Sequence, residues 1–269
     1  MGFETLLYEK QDGVATITLN RPERHNAFNI AMALELKDAW ADVKSDPAVV
    51  CAIVTGAGSR AFCTGMDVAD VASGSAPQEV KRMEREEGRP FYRYLTAIQN
   101  RCWKPVITAV NGMVVGGGFH FLADSDLVVC SETATFFDTH VKVGLVAGFE
   151  PVGLARRIPL EAVMRLALLG GSERMDAKTA LSLGLVGEVL PQGAVLSRAR
   201  ELAGMISQHS PTALALTKRA IWESLDRGLG EALDHTWKII EGHIDHPDMA
   251  EGTRAFVEKR RPRWAPYRE

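Results

Sequence analysis

The stretch Val106-Ile-Thr-Ala-Val-Asn-Gly-Met-Val-Val-Gly-Gly-Gly-Phe-His120 decides how this chain folds. Its first five residues alternate β-branched with smaller side chains, a pattern that predicts a short buried strand. Three consecutive glycines follow at 116–118, and the residues from Phe119 to Asp124 have the pattern of a buried helix start. Because glycine has no Cβ, this run indicates that another group approaches the backbone closely where the strand gives way to the helix.

Two interpretations of the glycine run follow from the residues. The first turn of a helix leaves backbone N–H groups unpaired at the positive end of the helix dipole. Such N–H groups are suited to hold a carbonyl oxygen that becomes negative during a reaction. Alternatively, the glycines serve only to let helix and strand pack tightly. The stretch by itself leaves both interpretations open.

The composition bounds the class of protein. The chain has 269 residues, of which 46% are hydrophobic and 24% charged, the proportions of a globular protein with a sizeable core. The formal net charge is −3 and there is no basic block, which argues against a nucleic-acid partner. The sequence has neither a signal peptide nor an apolar run long enough to span a membrane, so we expect a cytoplasmic protein without a membrane partner.

The predicted strands and helices divide the chain into two regions. Strands concentrate in an α/β core, which we assign to residues 1–195, and helices make up residues 196–269. The helices of the second region carry apolar stripes with no strand to cover, so we expect them to pack against another subunit. The residues of these stripes are Leu202, Met205, Ile206, Leu216 and Ile221.

Local signals predict two helices within the core. Asn29 precedes an amphipathic run from Ala31 to Val43 and has the side chain of a helix N-cap. A long charged helix is predicted from Gln78 to Asn100, with Tyr94 and Leu95 on its inner face.

Four stretches together resemble one known family. They are Ile17–Asn29, Arg60–Asp67, Val110–Gly118 and the tail Glu251–Trp264. Their order and spacing are similar to those of the crotonase (enoyl-CoA hydratase/isomerase) superfamily, and the resemblance spans nearly the whole chain.

The resemblance implies a fold, an assembly and a substrate class. The fold would be an α/β spiral of ββα units with a C-terminal helical region that forms homotrimers, often as a dimer of trimers. The substrate would be an acyl-CoA, whose thioester lies between the backbone N–H groups of Met66 and Gly117. Coenzyme A would enter as part of the substrate, and the family implies no separate cofactor and no metal.

The resemblance also implies positions that line the substrate or the CoA moiety. Among these, Asp67 has the alternative interpretation of a turn cap. The positions are Arg24, Ala27, Ala61, Gly65, Asp67, Val68, Gly116, Phe256 and Lys259.

The chain departs from the family pattern at the two catalytic positions. A hydratase of this family carries a glutamate directly after the glycines and another twenty residues later, where this chain has His120 and His140. Imidazole, with an unperturbed pKa of about 6.5, is a capable acid or base at neutral pH. One neutral and one protonated ring would form an acid/base pair.

We therefore expect the rings to face each other across the thioester site, with neither held by a purely structural hydrogen bond. Activity would then fall on acidification. The alternative is that both rings only line a pocket.

One further carboxylate and three functions remain open. The resemblance places Glu150 in the loop that passes the acyl group. A branch of the superfamily that cleaves C–C bonds of β-diketones has a carboxylate in this loop, one position away from Glu150. The alternative role of Glu150 is an ordinary helix cap. The leading function is an enolate-stabilising enzyme of the enoyl-CoA hydratase type. The second is a hydrolase that activates water against a β-keto or cyclic diketone acyl-CoA. The third is an acyl-CoA-binding protein without turnover.

Overall fold

Ten strands in the described residues, 2–67 and 78–267 of this computed structural model, form two sheets. The strands of the larger sheet are β1 Leu6–Gln11, β2 Val14–Leu19, β3 Cys51–Gly56, β5 Val106–Val110, β7 Leu127–Ser131 and β10 Glu188–Leu190. Those of the smaller sheet are β4 Ala61–Cys63, β6 Met113–Val115, β8 Thr135–Phe137 and β9 Met175–Asp176.

The order of the strands shows how the chain winds. The larger sheet has the order β1-β2-β3-β5-β7-β10, in which only β1 and β2 pair antiparallel. The smaller sheet has the order β4-β6-β8-β9, with β4, β6 and β8 parallel. Successive turns of the chain therefore add one strand to each sheet, as β3 and β4, then β5 and β6, then β7 and β8. This is the spiral of strand-strand-helix units expected from the sequence.

The helices connect these turns and form the C-terminal region. They are α1 Ile30–Ser45, α2 Gln78–Glu87, α3 Phe119–Ala123, α4 Phe149–Leu154, α5 Leu160–Leu168, α6 Ala177–Ser182, α7 Val195–Ile206, α8 Pro211–Ser224, α9 Leu229–Glu241 and α10 Pro247–Val257. The predicted N-cap of α1 is confirmed, because the Asn29 side chain accepts a hydrogen bond from the Met32 N–H at 2.9 Å.

The prediction of one long helix over residues 78–100 is wrong. Helix α2 ends at Glu87, because Gly88 has a left-handed φ of +65° and Pro90 follows. The chain continues as a loop through residues 88–101 that still buries Tyr94 and Leu95. The short strands β4 and β6 escaped prediction because three residues are too few to show an alternating pattern.

Helix α7 covers one face of the larger sheet. Its residues Val195, Ala199 and Ala203 pack in one buried cluster with residues of β3, β5 and β7, and Leu202 and Ile206 pack against that cluster. The expectation that the C-terminal helices have no strand to cover is therefore wrong for α7.

The later helices α8 to α10 expose several large apolar side chains, among them Ile221, Leu233 and Trp237 at 56–61% exposure. None of the helices in the described part of the chain has the length and apolar character needed to cross a membrane.

Candidate active site

Three neighbouring strands of the smaller sheet deliver the candidate site residues. Strand β4 is followed by Met66, β6 by the glycines 116–118 and β8 by His140. Because β4, β6 and β8 run parallel and adjacent, their carboxyl ends meet at one edge of the sheet, where ligands bind in open α/β sheets. The pairing of these strands therefore brings three segments that are distant in the sequence to one edge of the smaller sheet.

The turn after β4 lies directly against the glycine run. Gly65 has a φ of +84°, and a Cβ at this position would lie 2.8 Å from the Gly117 nitrogen, so the turn requires glycine. Phe28 fixes the turn, since its N–H donates to the Gly65 carbonyl and its carbonyl accepts from the Asp67 N–H, both at 2.9 Å. Consecutive N–H groups of an extended segment point to opposite sides, so the Met66 N–H points away from the Phe28 backbone. We find no acceptor for it among the described residues.

The three glycines each meet a close neighbour. A Cβ at Gly116, where φ is +50°, would lie 3.3 Å from Cε1 of His140, and one at Gly117 would lie 2.7 Å from Cε1 of Phe28. A Cβ at Gly118 would overlap a carbonyl oxygen of β4. The glycines therefore allow the close packing that one of the two interpretations requires. The glycines form the 3-10 turn that precedes α3, and the described residues give the Gly117 N–H no acceptor either.

One cavity of about 380 Å³ is lined by four of the predicted site residues, which are Met66, Gly117, His120 and His140. Glu150 lines it as well, and aromatic side chains form much of the remaining wall. These aromatic residues are Phe28, Tyr92 and Phe149.

His120 is held at both ring nitrogens. Its Nε2 lies 3.1 Å from Oε1 of Glu150, and its Nδ1 lies 3.2 Å from Nε2 of Gln99. The Leu95 N–H donates to Oε1 of Gln99, which turns the amide NH₂ toward the ring. Nδ1 therefore accepts a hydrogen bond and Nε2–H donates one to Glu150. The expectation that His120 would not be held by a structural hydrogen bond is corrected, because the Gln99 amide occupies the nitrogen that a base would use.

Glu150 is not an ordinary helix cap. The N-cap of α4 is Gly148, and the Glu150 side chain is buried and turned toward His120. Burial by itself would raise the pKa of Glu150, but its hydrogen bond and electrostatic interaction with His120, with a smaller effect of His140, outweigh burial and hold that pKa below its ordinary value. Glu150 is therefore an ionised carboxylate in the cavity at neutral pH.

His140 forms a second carboxylate–imidazole pair. Its Nδ1 lies 2.9 Å from Oδ2 of the buried Asp138, whose Oδ1 also accepts the His140 backbone N–H at 2.8 Å. The hydrogen bond to Asp138 raises the pKa of His140, burial opposes this, and the charge of Glu150 adds to the increase. Nδ1 therefore carries the proton that Asp138 accepts, and no described residue bonds to Nε2.

The other predicted positions in the described part of the chain lie outside the lining of this cavity. Arg24, Phe256 and Lys259 are exposed, whereas Ala27 and Ala61 are buried. Val68 lies outside the described residues. Their contacts with substrate or CoA stay predictions.

Asp67 has a partner within the chain, since its Oδ2 lies 3.0 Å from Nη2 of Arg21. Arg21 also donates to the Ala27 carbonyl at 2.7 Å. This pair links the loop after β2 to the turn after β4, in line with the structural alternative for Asp67.

Comparison with known proteins places the chain in a family. Residues 9–266 match the family model described as enoyl-CoA hydratase/isomerase. The chain is 34% identical to (E)-benzylidenesuccinyl-CoA hydratase of Thauera aromatica, covering 94% of this chain and 96% of that protein. It is 32% identical to crotonyl-CoA hydratase of Syntrophomonas wolfei, with 97% and 98% covered. An enoyl-CoA hydratase/isomerase structure from Mycobacterium paratuberculosis superimposes with a TM-score of 0.90 at 40% identity, with 98% and 99% covered.

The chain therefore belongs to the enoyl-CoA hydratase/isomerase family, within the crotonase superfamily, as its motifs indicated. It is an acyl-CoA enzyme of that type.

The His140–Asp138 pair makes a prediction for the free protein. Replacing Asp138 by Asn removes the charge that raises the His140 pKa, so that pKa should fall, and the ring should lose its proton at lower pH. A proton NMR titration of the His140 ring checks this. The control is Asp12→Asn in the exposed β1–β2 turn, which should leave the titration unchanged. An unchanged His140 pKa in Asp138→Asn would mean that the pair does not form in solution.

Proposed function

We propose that this protein adds water to the double bond of an α,β-unsaturated acyl-CoA thioester. The observation that carries the proposal is the shared cavity. Its lining includes Met66 and Gly117, whose N–H groups have no acceptor among the described residues, together with the Glu150 carboxylate and the carboxylate-bound imidazole of His140. The names of two relatives, (E)-benzylidenesuccinyl-CoA hydratase and crotonyl-CoA hydratase, support hydration over the other reactions of the family.

The N–H groups of Met66 and Gly117 would bind the thioester oxygen. As water adds, negative charge moves from the double bond onto this oxygen and forms an enolate. Fixed donors stabilise such a charge without reorganising, and one donor typically contributes about 10²–10³ in rate. The contact between the two turns keeps the donors in place.

Glu150 and His140 would carry the protons. The Glu150 carboxylate takes a proton from water while the water oxygen bonds to C3 of the acyl group and the electron pair of the double bond moves to the enolate. The enolate then takes a proton at C2 from Nε2–H of His140. The product is a 3-hydroxyacyl-CoA. The proton on Glu150 returns to His140 through water before the next turnover.

The two pKa shifts favour this division of roles. A lowered pKa keeps Glu150 ionised as the base, and a raised pKa keeps His140 protonated as the acid. His120 would be a positioning residue, since its Nε2–H donates a hydrogen bond to the Glu150 carboxylate. This assignment differs from the His120–His140 acid/base pair expected from the sequence.

The buried Glu150 carboxylate also favours a second candidate function. A carboxylate that activates water beside an imidazole would equally serve a hydrolase of a β-keto or cyclic diketone acyl-CoA. Product analysis separates these functions. Hydration yields a 3-hydroxyacyl-CoA, whereas C–C hydrolysis yields two fragments from a β-keto acyl-CoA and one ring-opened carboxylic acid from a cyclic diketone. Binding without turnover is the third outcome.

Variants of the two proton carriers test the proposal. Glu150→Gln and His140→Gln should each reduce turnover of crotonyl-CoA by about 10²–10⁴, the usual share of a general acid or base, and leave binding of the unreactive butyryl-CoA nearly unchanged. The matched control is Glu132→Gln, which alters an exposed carboxylate after β7 and should keep full activity.

The pH dependence of activity gives a second test of the proposal. Activity should fall as pH rises through the raised pKa of His140, above 6.5, because the acid loses its proton there. In Asp138→Asn this alkaline limb should move to lower pH. Full turnover by either Glu150→Gln or His140→Gln would exclude the assigned roles.

We also propose that the protein assembles as a homotrimer or a dimer of trimers. The apolar side chains exposed on α8 and α9, including Ile221, Leu233 and Trp237, favour a partner surface. Sedimentation at micromolar concentration should show trimers or hexamers, and Leu233→Glu should shift the distribution to smaller species. A stable wild-type monomer would contradict this proposal.

A further inference from the structure

A second cavity adjoins the reaction cavity. It has a volume of about 740 Å³ and shares two wall residues, His120 and Phe149, with the first. Four basic side chains line it, whereas the first cavity is mostly apolar apart from its catalytic groups. These basic residues are Lys44, Arg89, Arg93 and Arg101.

Two of these arginines are positioned to meet a ligand. The Arg93 guanidinium carbon lies 5.6 Å from the ring centre of Phe149, directly at the shared wall. Arg93 and Arg101 are both exposed, and neither forms an ion pair with another described residue in 2–67 or 78–267. Arg101 also has a left-handed φ of +53°, a conformation that glycine or asparagine adopts at lower cost.

The other charged groups of this cavity have roles within the chain. Arg89 donates to the Gln99 carbonyl at 2.6 Å and stacks on Tyr94, which fixes the loop that presents Gln99 to His120. Asp124 opposes an anionic ligand, but its Oδ2 accepts the Thr96 hydroxyl at 2.6 Å. Four basic side chains line the cavity against one carboxylate, Asp124, among the described residues. The cavity therefore remains cationic.

We propose that this cavity binds a carboxylate at the distal end of the acyl chain, so that the preferred substrates are CoA thioesters of dicarboxylic acids. The inference rests on the proposed function, which places the thioester at Met66 and Gly117. An acyl chain that runs past Phe149 enters the second cavity and brings its far end to Arg93 and Arg101. Guanidinium groups bind carboxylates by paired, charge-assisted hydrogen bonds.

Binding of matched thioesters tests the inference. Titration calorimetry compares glutaryl-CoA with its methyl ester, which has the same chain but no distal charge. Glutaryl-CoA should bind about 10-fold more tightly or better, as expected for charge-assisted bonds in a partly enclosed site. The double variant Arg93→Gln/Arg101→Gln should lose this preference and keep its affinity for the ester. Arg200→Gln, an exposed arginine on α7, is the matched control and should retain the preference.

Three results would overturn the inference. Equal affinity of the wild-type protein for both thioesters would exclude a distal carboxylate site, while turnover of crotonyl-CoA would leave the proposed function intact. Equal weakening of glutaryl-CoA, its ester and free CoA in the double variant would assign the arginines to CoA phosphates instead. Absence of binding and turnover with every thioester would contradict the proposed function and this inference together.

The unfolding midpoint of the double variant should match the wild type, and Arg93→Lys/Arg101→Lys, which keeps both charges, should retain part of the preference.

Discussion

The close contact between the turn at Gly65 and the backbone of Gly117 is the constraint on which the site depends. A Cβ at Gly65 would lie 2.8 Å from the Gly117 nitrogen, so any other residue would force the turns after β4 and β6 apart. The parallel pairing of those strands brings the turns together, and Phe28 holds the first one by two backbone hydrogen bonds. Met66 and Gly117, which are distant in the chain, thereby line one cavity with N–H groups that have no acceptor among the described residues. The proposed enolate chemistry needs both of them at fixed positions.

The carboxylate–imidazole pairs show how the site can lack the two expected glutamates and still contain an ionised carboxylate. His120 stands where the resemblance places the first glutamate of a hydratase, and its Nε2 lies 3.1 Å from Oε1 of Glu150 in helix α4. The negative charge is thus supplied from another element of the fold. At the second position, Asp138 raises the pKa of His140, so the ring favours its protonated form. In the proposed mechanism both substitutions alter which group holds a proton, with Glu150 as the base and His140 as the acid.

Much of the fold could be predicted from the sequence, because its signals are local or periodic. The buried strand at Val106–Val110 and the Asn29 cap are examples. The residues behind the histidines were harder to predict. Gln99 falls within the helix predicted over residues 78–100, but the observed helix ends at Glu87. The amide of Gln99 lies in the loop that follows and from there reaches His120. Glu150 gave no local sign of burial beside His120, since that contact depends on how α3 and α4 pack.

The most direct test of the account is the infrared spectrum of butyryl-CoA with a ¹³C-labelled thioester carbonyl, bound to the protein. Two fixed N–H donors in a cavity with little water polarise a carbonyl more strongly than water does. The account predicts that the labelled C=O stretch of the bound thioester lies at a lower frequency than that of free butyryl-CoA in water. A bound thioester whose carbonyl absorbs at the frequency seen in water, or above it, would contradict the proposed roles of Met66 and Gly117.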